Sequence, residues 1–150
     1  MKKLSTCVAL FTVLSVLPYN IGVRGADWPQ WQGPNRDGVW HEQGIVKDIP
    51  ENGLPIVWRV PLGGGYSGPA VAGDHLYVAD YIKSEGNLEN NPNNRSLLSG
   101  TERVLCFDTA TGEEIWKYEY DCPYSISYAA GPRCTPTVYD DRVYALGSEG

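Results

Sequence analysis

Histidine is scarce in this chain of 150 residues. The only two, His41 and His75, lie in separate segments, and neither belongs to a motif with the spacing of zinc ligands. A zinc site needs a cluster of imidazole, thiolate or carboxylate groups. The alternating acidic pattern of a calcium loop is missing as well. We therefore assign no metal-binding residues from the sequence.

Helical periodicity is also missing. After residue 25, no segment repeats apolar residues at three- and four-residue spacing for long enough to form a helix, and the chain contains eleven prolines and seventeen glycines. β-Branched and aromatic residues instead cluster in short runs between turn formers. The chain is therefore predicted to be all-β. The predicted strands are residues 56–60, 70–72, 75–81, 103–107, 114–120, 135–139 and 142–146.

The chain has a single long hydrophobic run, at residues 8–17. Two lysines precede it, a proline ends it, and a polar stretch of small residues follows, as in a secretory signal peptide. The run is about half of the roughly 20 residues that span a bilayer, so a retained anchor is the less favoured alternative. Cys7 precedes the run, which is not the position of a lipid acceptor. We predict a signal peptide at residues 1–25, an exported protein in the periplasm or extracellular space, and no membrane span after cleavage.

Clusters of basic residues are lacking. Removal of the leader lowers the basic residues from twelve to nine and leaves all eighteen acidic residues in place. A chain with this excess of negative charge repels phosphate backbones and anionic lipids. The sequence therefore predicts no nucleic-acid partner.

Cysteine is also sparse, with three residues beyond the leader, Cys106, Cys122 and Cys134. An exported chain can oxidise its cysteines, but three cannot all pair within one chain. Cys106 lies in an apolar strand and is expected to be a buried free thiol. Cys122 and Cys134 flank a loop and could close it, although their spacing alone leaves both a disulfide and two free thiols open.

One repeat is present. Residues 69–79 and 136–146 share the pattern Pro-x-Val-x-x-Asp-x-aliphatic-Tyr, and such a repeat marks a supersecondary unit that stacks on its neighbours. The strands from residue 69 to residue 120 form one complete unit, predicted to be a four-stranded antiparallel blade. The turn Asp108–Gly112 joins its last two strands, with Asp108 accepting hydrogen bonds from the amides ahead and Gly112 in the left-handed conformation. Residues 83–101 are polar and Asn-rich, which predicts a mobile inserted loop.

The motif Phe107-Asp-Thr-Ala-Thr-Gly-Glu-Glu-Ile-Trp116 resembles the Asp-x-x-Thr-Gly-x-x-x-Trp signature of the pyrroloquinoline-quinone-like, or quinoprotein-like, β-propeller repeat. The resemblance extends from about Asp27 to Gly150. It implies a partial β-propeller of four-stranded antiparallel blades, a fragment of a larger propeller with seven or eight blades, at residues 56–150. It also implies that Trp58 and Trp116 each pack beside the Thr-Gly turn of a neighbouring blade.

Residues 26–55 form a Trp- and Gly-rich segment without helical or strand periodicity, which we call the strap. Its tryptophans, Trp28, Trp31 and Trp40, would be costly to leave in water. We expect them to fill grooves on the folded body, and a ligand-stacking role is the less favoured alternative.

No catalytic, cofactor-binding or metal-binding residue is assigned. Ser67 and Ser148 have no base in a recognisable motif, and the glycines at 63–68 lack the helix and Lys-Ser/Thr pair of a phosphate loop. They are expected to form a loop near the propeller axis, where backbones crowd.

The leading functional prediction is a binding or scaffold module. Its loops 63–68, 83–101 and 121–133 would contact a protein or glycan. Two alternatives follow from the resemblance. One is the N-terminal part of a dehydrogenase for alcohols or sugars that depends on pyrroloquinoline quinone and calcium, although the chain lacks the adjacent cysteine pair of those enzymes. The other is a propeller similar to the envelope assembly factors, which bind partner proteins through blade loops.

Overall fold

The structure is a computed structural model that describes residues 25–86, 93, 95–126 and 130–150, with the side chains of Ser96 and Ile126 left out. The predicted signal peptide, apart from Gly25, lies outside the described residues. Within them the chain forms strands and no helix, so the all-β prediction is confirmed. No helix in this part is long and apolar enough to cross a membrane. The strands are β1 (Ala70–Ala72), β2 (His75–Glu85), β3 (Ser96–Asp108), β4 (Glu114–Asp121), β5 (Tyr124–Ile126), β6 (Thr137–Tyr139) and β7 (Arg142–Tyr144).

The first four strands form one antiparallel blade in the order β1-β2-β3-β4. Strands β6 and β7 form a second antiparallel sheet that starts the second copy of the repeat. In its hairpin turn, Asp140 and Asp141 both have positive φ (49° and 57°), as a two-residue hairpin with matching twist requires. The four-stranded blade and the repeat are therefore both confirmed.

Each face of the blade buries apolar side chains. On one face Tyr77 and Cys106 pack with Val143 of the second sheet. On the other, Val78 and Leu105 pack with Val60 of the preceding segment. A sheet with one wet face would show alternating polar residues, whereas this blade has a neighbour on both sides, as propeller blades do.

The prediction of a strand at residues 56–60 is wrong. These residues form no strand, and Ile56 and Val57 are exposed. Their β-branched side chains are typical of strands, but strand formation depends on a pairing partner and on burial more than on intrinsic preference. No strand pairs with them in the described part of the chain. Strands β6 and β7 are also shorter than predicted, because pairing extends only from Thr137 to Tyr144.

The prediction of a mobile loop at residues 83–101 is wrong for its described parts. Strand β2 continues to Glu85 and pairs there with Ser99 of β3, after a bulge. The start of β3 pairs with β5, a strand that the sequence pattern did not indicate. Leu98 in this segment is fully buried. Residues 87–92 and 94 lie outside the described residues.

The Asp108 turn has the predicted geometry. The carboxylate Oδ1 of Asp108 accepts hydrogen bonds from the backbone amides of Ala110 (2.9 Å) and Thr111 (2.8 Å) and from the Thr111 hydroxyl (3.0 Å). Gly112 has a φ of 74° and donates its amide hydrogen to the Asp108 carbonyl oxygen (2.9 Å). These bonds hold the Asp108 carboxylate ionised, and the pKa of Asp108 is lowered chiefly by the Thr111 amide.

Trp58 packs against that turn, as the resemblance implies. Its indole Nε1 donates a hydrogen bond to the Thr109 carbonyl oxygen (2.9 Å). A Cβ atom on Gly112 would lie 2.7 Å from the Trp58 ring, so the glycine is required by contact as well as by φ. Trp116, in the corresponding position of the next repeat, packs on Tyr77 with ring centroids 5.9 Å apart and is 39% exposed.

The strap binds the first strands of both sheets. Trp28 and Val71 of β1 exchange backbone hydrogen bonds (2.8 and 2.9 Å), and the Val138 amide of β6 donates to the Pro29 carbonyl oxygen (2.8 Å). Trp28 is partly buried, and a Cβ atom on Gly33 would lie 2.8 Å from its ring. Trp31 is 67% exposed and Trp40 is 54% exposed, so the expectation that they fill grooves is wrong.

Trp58→Ala should lower the free energy of unfolding by about 3 kcal/mol, because it removes an indole packed on a turn together with its hydrogen bond. Urea denaturation followed by circular dichroism measures the change. Trp40→Ala is the matched control, because Trp40 is more than half exposed. Equal midpoints for the two variants would contradict the role of Trp58 as a contact between repeats.

Candidate functional site

Three separate segments meet at one end of the blade, which we call the loop end. They are residues 61–69, residues 82–86 with 95–100, and residues 121–126 with 130–135. In an antiparallel blade, the turns β1–β2 and β3–β4 lie at one end, so the β2–β3 connection and the segments before β1 and after β4 lie at the other. The sequence-predicted loops 63–68, 83–101 and 121–133 are therefore brought together as far as they are described.

Backbone hydrogen bonds join these segments. Gly64 and Tyr81 exchange a pair of them (2.9 and 2.8 Å). The Tyr66 amide donates to the Pro132 carbonyl oxygen (2.8 Å), and the Cys122 amide donates to the Gly100 carbonyl oxygen (2.9 Å). The loop end is thus a connected surface in which each segment limits the conformations of the others.

Glycine is needed where these backbones cross. A Cβ atom on Gly131 would lie 2.4 Å from the Gly64 carbonyl oxygen, and one on Gly63 would lie 2.4 Å from the Tyr81 carbonyl oxygen. Real side chains do not approach backbone this closely, so larger residues would push the segments apart. The backbone crowding predicted for residues 63–68 is observed. Their place near a propeller axis stays a prediction.

A small apolar core lies beneath the exposed surface of the loop end. Tyr81 and Tyr124 pack edge to face with ring centroids 5.1 Å apart. The Tyr81 hydroxyl donates to the Cys122 carbonyl oxygen (3.0 Å), and Leu98 is fully buried beside them. Burial is the main cause that raises the pKa of Tyr81 to about 12. Leu98, Cys122 and Ala130 of the loop end therefore belong to one buried apolar cluster.

The exposed side of the loop end carries aromatic, aliphatic and cationic groups. Tyr66 is 62% exposed and Leu97 is 74% exposed. The Arg133 guanidinium lies 5.1 Å from the centroid of the Tyr66 ring, a cation–π distance, and donates a hydrogen bond to the Gly131 carbonyl oxygen (3.0 Å). These groups are available to a partner without rearrangement of the backbone.

A buried ion pair ties the blade to the preceding segment. Asp80 is 1% exposed and accepts two hydrogen bonds from Arg103, Nε to Oδ1 (2.8 Å) and Nη2 to Oδ2 (2.5 Å). The Gly63 amide also donates to Oδ2 (2.6 Å). The hydrogen bond to Asp80 is the main cause that raises the pKa of Arg103. Asp80 therefore anchors the start of the 63–68 loop.

A second buried carboxylate lies on the opposite face of the blade. Glu102 is 2% exposed and accepts hydrogen bonds from the Tyr120 hydroxyl (2.7 Å) and the Ser148 amide (3.1 Å). Burial first, and then this hydrogen bond to Glu102, raises the pKa of Tyr120. Since Ser148 follows β7, Glu102 joins the blade to the second sheet, as Asp80 joins it to the preceding segment.

Sequence reasoning did not single out Asp80 or Glu102. A signal was present for Asp80, which interrupts the apolar stretch from Val78 to Ile82 next to Tyr81. Glu102 lies between Thr101 and Arg103, and nothing in the local pattern marks it. Tyr66 and Leu97 were missed as individual residues because nothing in the pattern distinguishes an exposed aromatic or leucine from a buried one. Only their loops were predicted.

The residues considered for catalysis do not form a catalytic set. The Ser67 hydroxyl donates to the Cys134 carbonyl oxygen (3.0 Å), whereas Ser148 lies beside Glu102 at the second sheet. All three described cysteines are free thiols, so the Cys122–Cys134 disulfide that the spacing left open is not formed. Cys106 is a buried free thiol, as predicted.

The residues present do not fit a site for calcium and a quinone. Calcium takes several oxygen ligands, including carboxylates. The two buried carboxylates lie on opposite faces of the blade and are already bonded, Asp80 to Arg103 and Glu102 to Tyr120. Within the described ranges, no group of three histidine, cysteine or carboxylate side chains could hold a metal ion.

The fold and the loop end together define a β-propeller repeat protein. Residues 42–150 match the family model described as outer membrane protein assembly factor BamB. The chain therefore belongs to this family of pyrroloquinoline-quinone-like repeats. Searches of curated proteins and of solved structures found no match.

Asp80→Asn should lower the free energy of unfolding by about 3 kcal/mol, because it leaves the Arg103 charge buried without its anion. The double variant Asp80→Asn/Arg103→Met should regain part of this loss, since an apolar chain of similar size replaces the unpaired charge. Urea denaturation of both single variants and the double variant measures the coupling. Strictly additive losses would contradict an ion pair between these side chains.

The folded state should lose stability as the pH rises above 10. Tyr81 ionises near its ordinary pKa of 10.0 in the unfolded chain but only near 12 in the folded chain, so the unfolded state releases its proton first. Burial raises the pKa of Tyr120 and Tyr124 in the same direction. Unfolding free energies measured below and above pH 10 test this. A smaller pH dependence is expected for Tyr81→Phe, and an unchanged one would contradict the contribution of Tyr81.

Proposed function

We propose that this chain is part of an exported β-propeller protein that binds another protein through the loop end and acts as a scaffold in envelope assembly. The observation that carries the proposal is the connected loop end, where three segments far apart in sequence are hydrogen-bonded into one surface. The predicted signal peptide supports export. The family description, an outer membrane protein assembly factor, supports an assembly role.

The exposed groups favour a protein as the partner. Tyrosine and arginine are enriched at the energetically dominant positions of protein interfaces. Tyr66 and Arg133 are already stacked, so little side-chain entropy is lost when a partner covers them. Leu97 adds exposed apolar area on the neighbouring strand.

Buried polar groups argue for a structural rather than a catalytic role in the described residues. Asp80 and Glu102 each hold a backbone amide of an adjacent unit. A catalytic carboxylate would instead keep an oxygen free to accept, whereas both oxygens of Asp80 and of Glu102 already accept hydrogen bonds. The residues that repeat, such as Tyr77 and Tyr144, belong to the frame of the blade.

Deletion of residues 83–101 would not test partner binding cleanly. Leu98 belongs to the core below the loop end, and Gly100 accepts a hydrogen bond from Cys122. The deletion would therefore unfold part of the blade. Substitutions of single exposed residues avoid this difficulty.

Tyr66→Ala and Leu97→Ser in the full-length protein should each reduce partner capture about tenfold, the loss expected for an interface residue worth ~1.4 kcal/mol. Affinity capture from a detergent extract of the cell envelope, quantified by mass spectrometry, measures this. The melting temperature should stay unchanged, because both side chains are more than half exposed.

Tyr139→Ala is the matched control. Tyr139 is 73% exposed but ends β6 at the hairpin turn, away from the loop end. Capture that falls equally in all three variants, or in none, would contradict the loop end as the binding surface.

The dehydrogenase alternative gains no ligand set from the described residues. It has a direct test in dye reduction by the full-length protein after reconstitution with pyrroloquinoline quinone and calcium. Substrate-dependent reduction would contradict a purely scaffolding role.

A further inference from the structure

Trp31 is held in an exposed position by an ordered turn of the strap. The Gly33 amide donates to the Gln30 carbonyl oxygen (3.0 Å), and the Gly38 amide donates to the Gln32 carbonyl oxygen (3.0 Å). Gln32 and Arg36 both have positive φ (64° and 57°), which non-glycine residues rarely adopt. The turn adopts an unfavourable backbone conformation, yet the Trp31 indole stays 67% exposed. Burial of the indole therefore does not offset the backbone strain.

The exposed indole forms part of a cleft between the strap and the second sheet. The cleft has a volume of about 530 Å³, within the range of small-ligand sites. Tyr144 and Leu146 contribute an aromatic ring and an aliphatic side chain, and both are about half exposed. The cleft shares Arg133, Cys134 and Thr135 with the loop end.

The polar groups of the cleft are hydroxyls and one guanidinium. Thr135, Thr137 and Tyr144 supply the hydroxyls and Arg133 supplies the guanidinium. No carboxylate is among its lining residues, although acidic residues outnumber basic ones two to one beyond the leader. The Arg133 guanidinium contacts the Tyr66 ring and donates one hydrogen bond to Gly131, so the three hydroxyls are the more numerous polar groups of the cleft.

We propose that this cleft binds a neutral oligosaccharide, with Trp31 as the stacking platform. A pyranose ring has an apolar face of C–H groups and a rim of hydroxyls. Exposed aromatic rings match that face, and threonine and tyrosine hydroxyls can donate to and accept from that rim. Three hydroxyls outnumber the single guanidinium, whose face already contacts Tyr66, so a neutral hydroxylated ligand matches this lining better than a charged one. Neither Tyr66 nor Leu97, the residues tested for protein binding, lines this cleft.

The native cysteines provide the measurement. Cys134 lines the cleft and is exposed, whereas Cys106 and Cys122 are buried. In the reduced full-length protein, an alkylating reagent should therefore modify Cys134 first. Cellohexaose, maltohexaose and chitohexaose serve as probes, each tested for slower alkylation of Cys134 by peptide mass spectrometry, with the two buried cysteines as internal controls.

At least one hexasaccharide should protect Cys134. Trp31→Ala should weaken that protection about tenfold in apparent affinity, which corresponds to ~1.4 kcal/mol. Trp31→Tyr keeps an aromatic ring at this position, so the variant should retain most of the protection of Cys134. Trp40→Ala is the matched control, since Trp40 is an exposed strap tryptophan outside this cleft.

Three results would overturn the proposal. In the first, none of the hexasaccharides protects Cys134. In the second, an acidic decapeptide protects Cys134 and the hexasaccharides do not. In the third, the Cys134 thiol is unreactive without ligand because another part of the protein covers the cleft. Partner capture by Tyr66→Ala is measured separately, so failure of the loop-end proposal and failure of this one are distinguishable.

Discussion

The blade is apolar on both faces, and it therefore needs a neighbour on each side. Val78 and Leu105 pack towards the preceding segment, and Tyr77 and Cys106 pack towards the second sheet. Polar contacts reinforce the same two junctions, through Asp80 with Gly63 on one side and Glu102 with Ser148 on the other. Because a buried carboxylate must find donors, each one fixes the position of the backbone that supplies them.

This constraint explains how a repeat frame can carry a specific surface. The residues shared by the two copies of the repeat form the blade and its junctions. The loop end and the Trp31 cleft add residues outside that frame, such as Tyr66, Leu97 and Trp31, and the cleft also uses Tyr144 of the frame. The frame limits where these residues lie, and they are free to differ because they are not required for packing.

Much of the frame could be predicted from local patterns. The turn from Asp108 to Gly112 requires a side-chain acceptor at its start and a residue in the left-handed conformation at its end. Asp108 and Gly112 meet these requirements within five consecutive residues. The contact of Trp58 with that turn followed from a family resemblance and is confirmed. The candidate surface was predicted only as a set of loops, because the bonds between Gly64 and Tyr81 and between Tyr66 and Pro132 join residues far apart in sequence.

The sequence by itself determined the all-β class, the repeat, the four strands of the blade and the chemistry of its turns, because these depend on residues close together in the chain. Only the tertiary structure decided which apolar side chains are buried. Ile56 and Val57 form no strand although their residue types favour one, and the polar 83–101 segment contains paired strands because β5 lies beside it. Trp31 is exposed for the same reason, since burial depends on a surface that distant residues must supply.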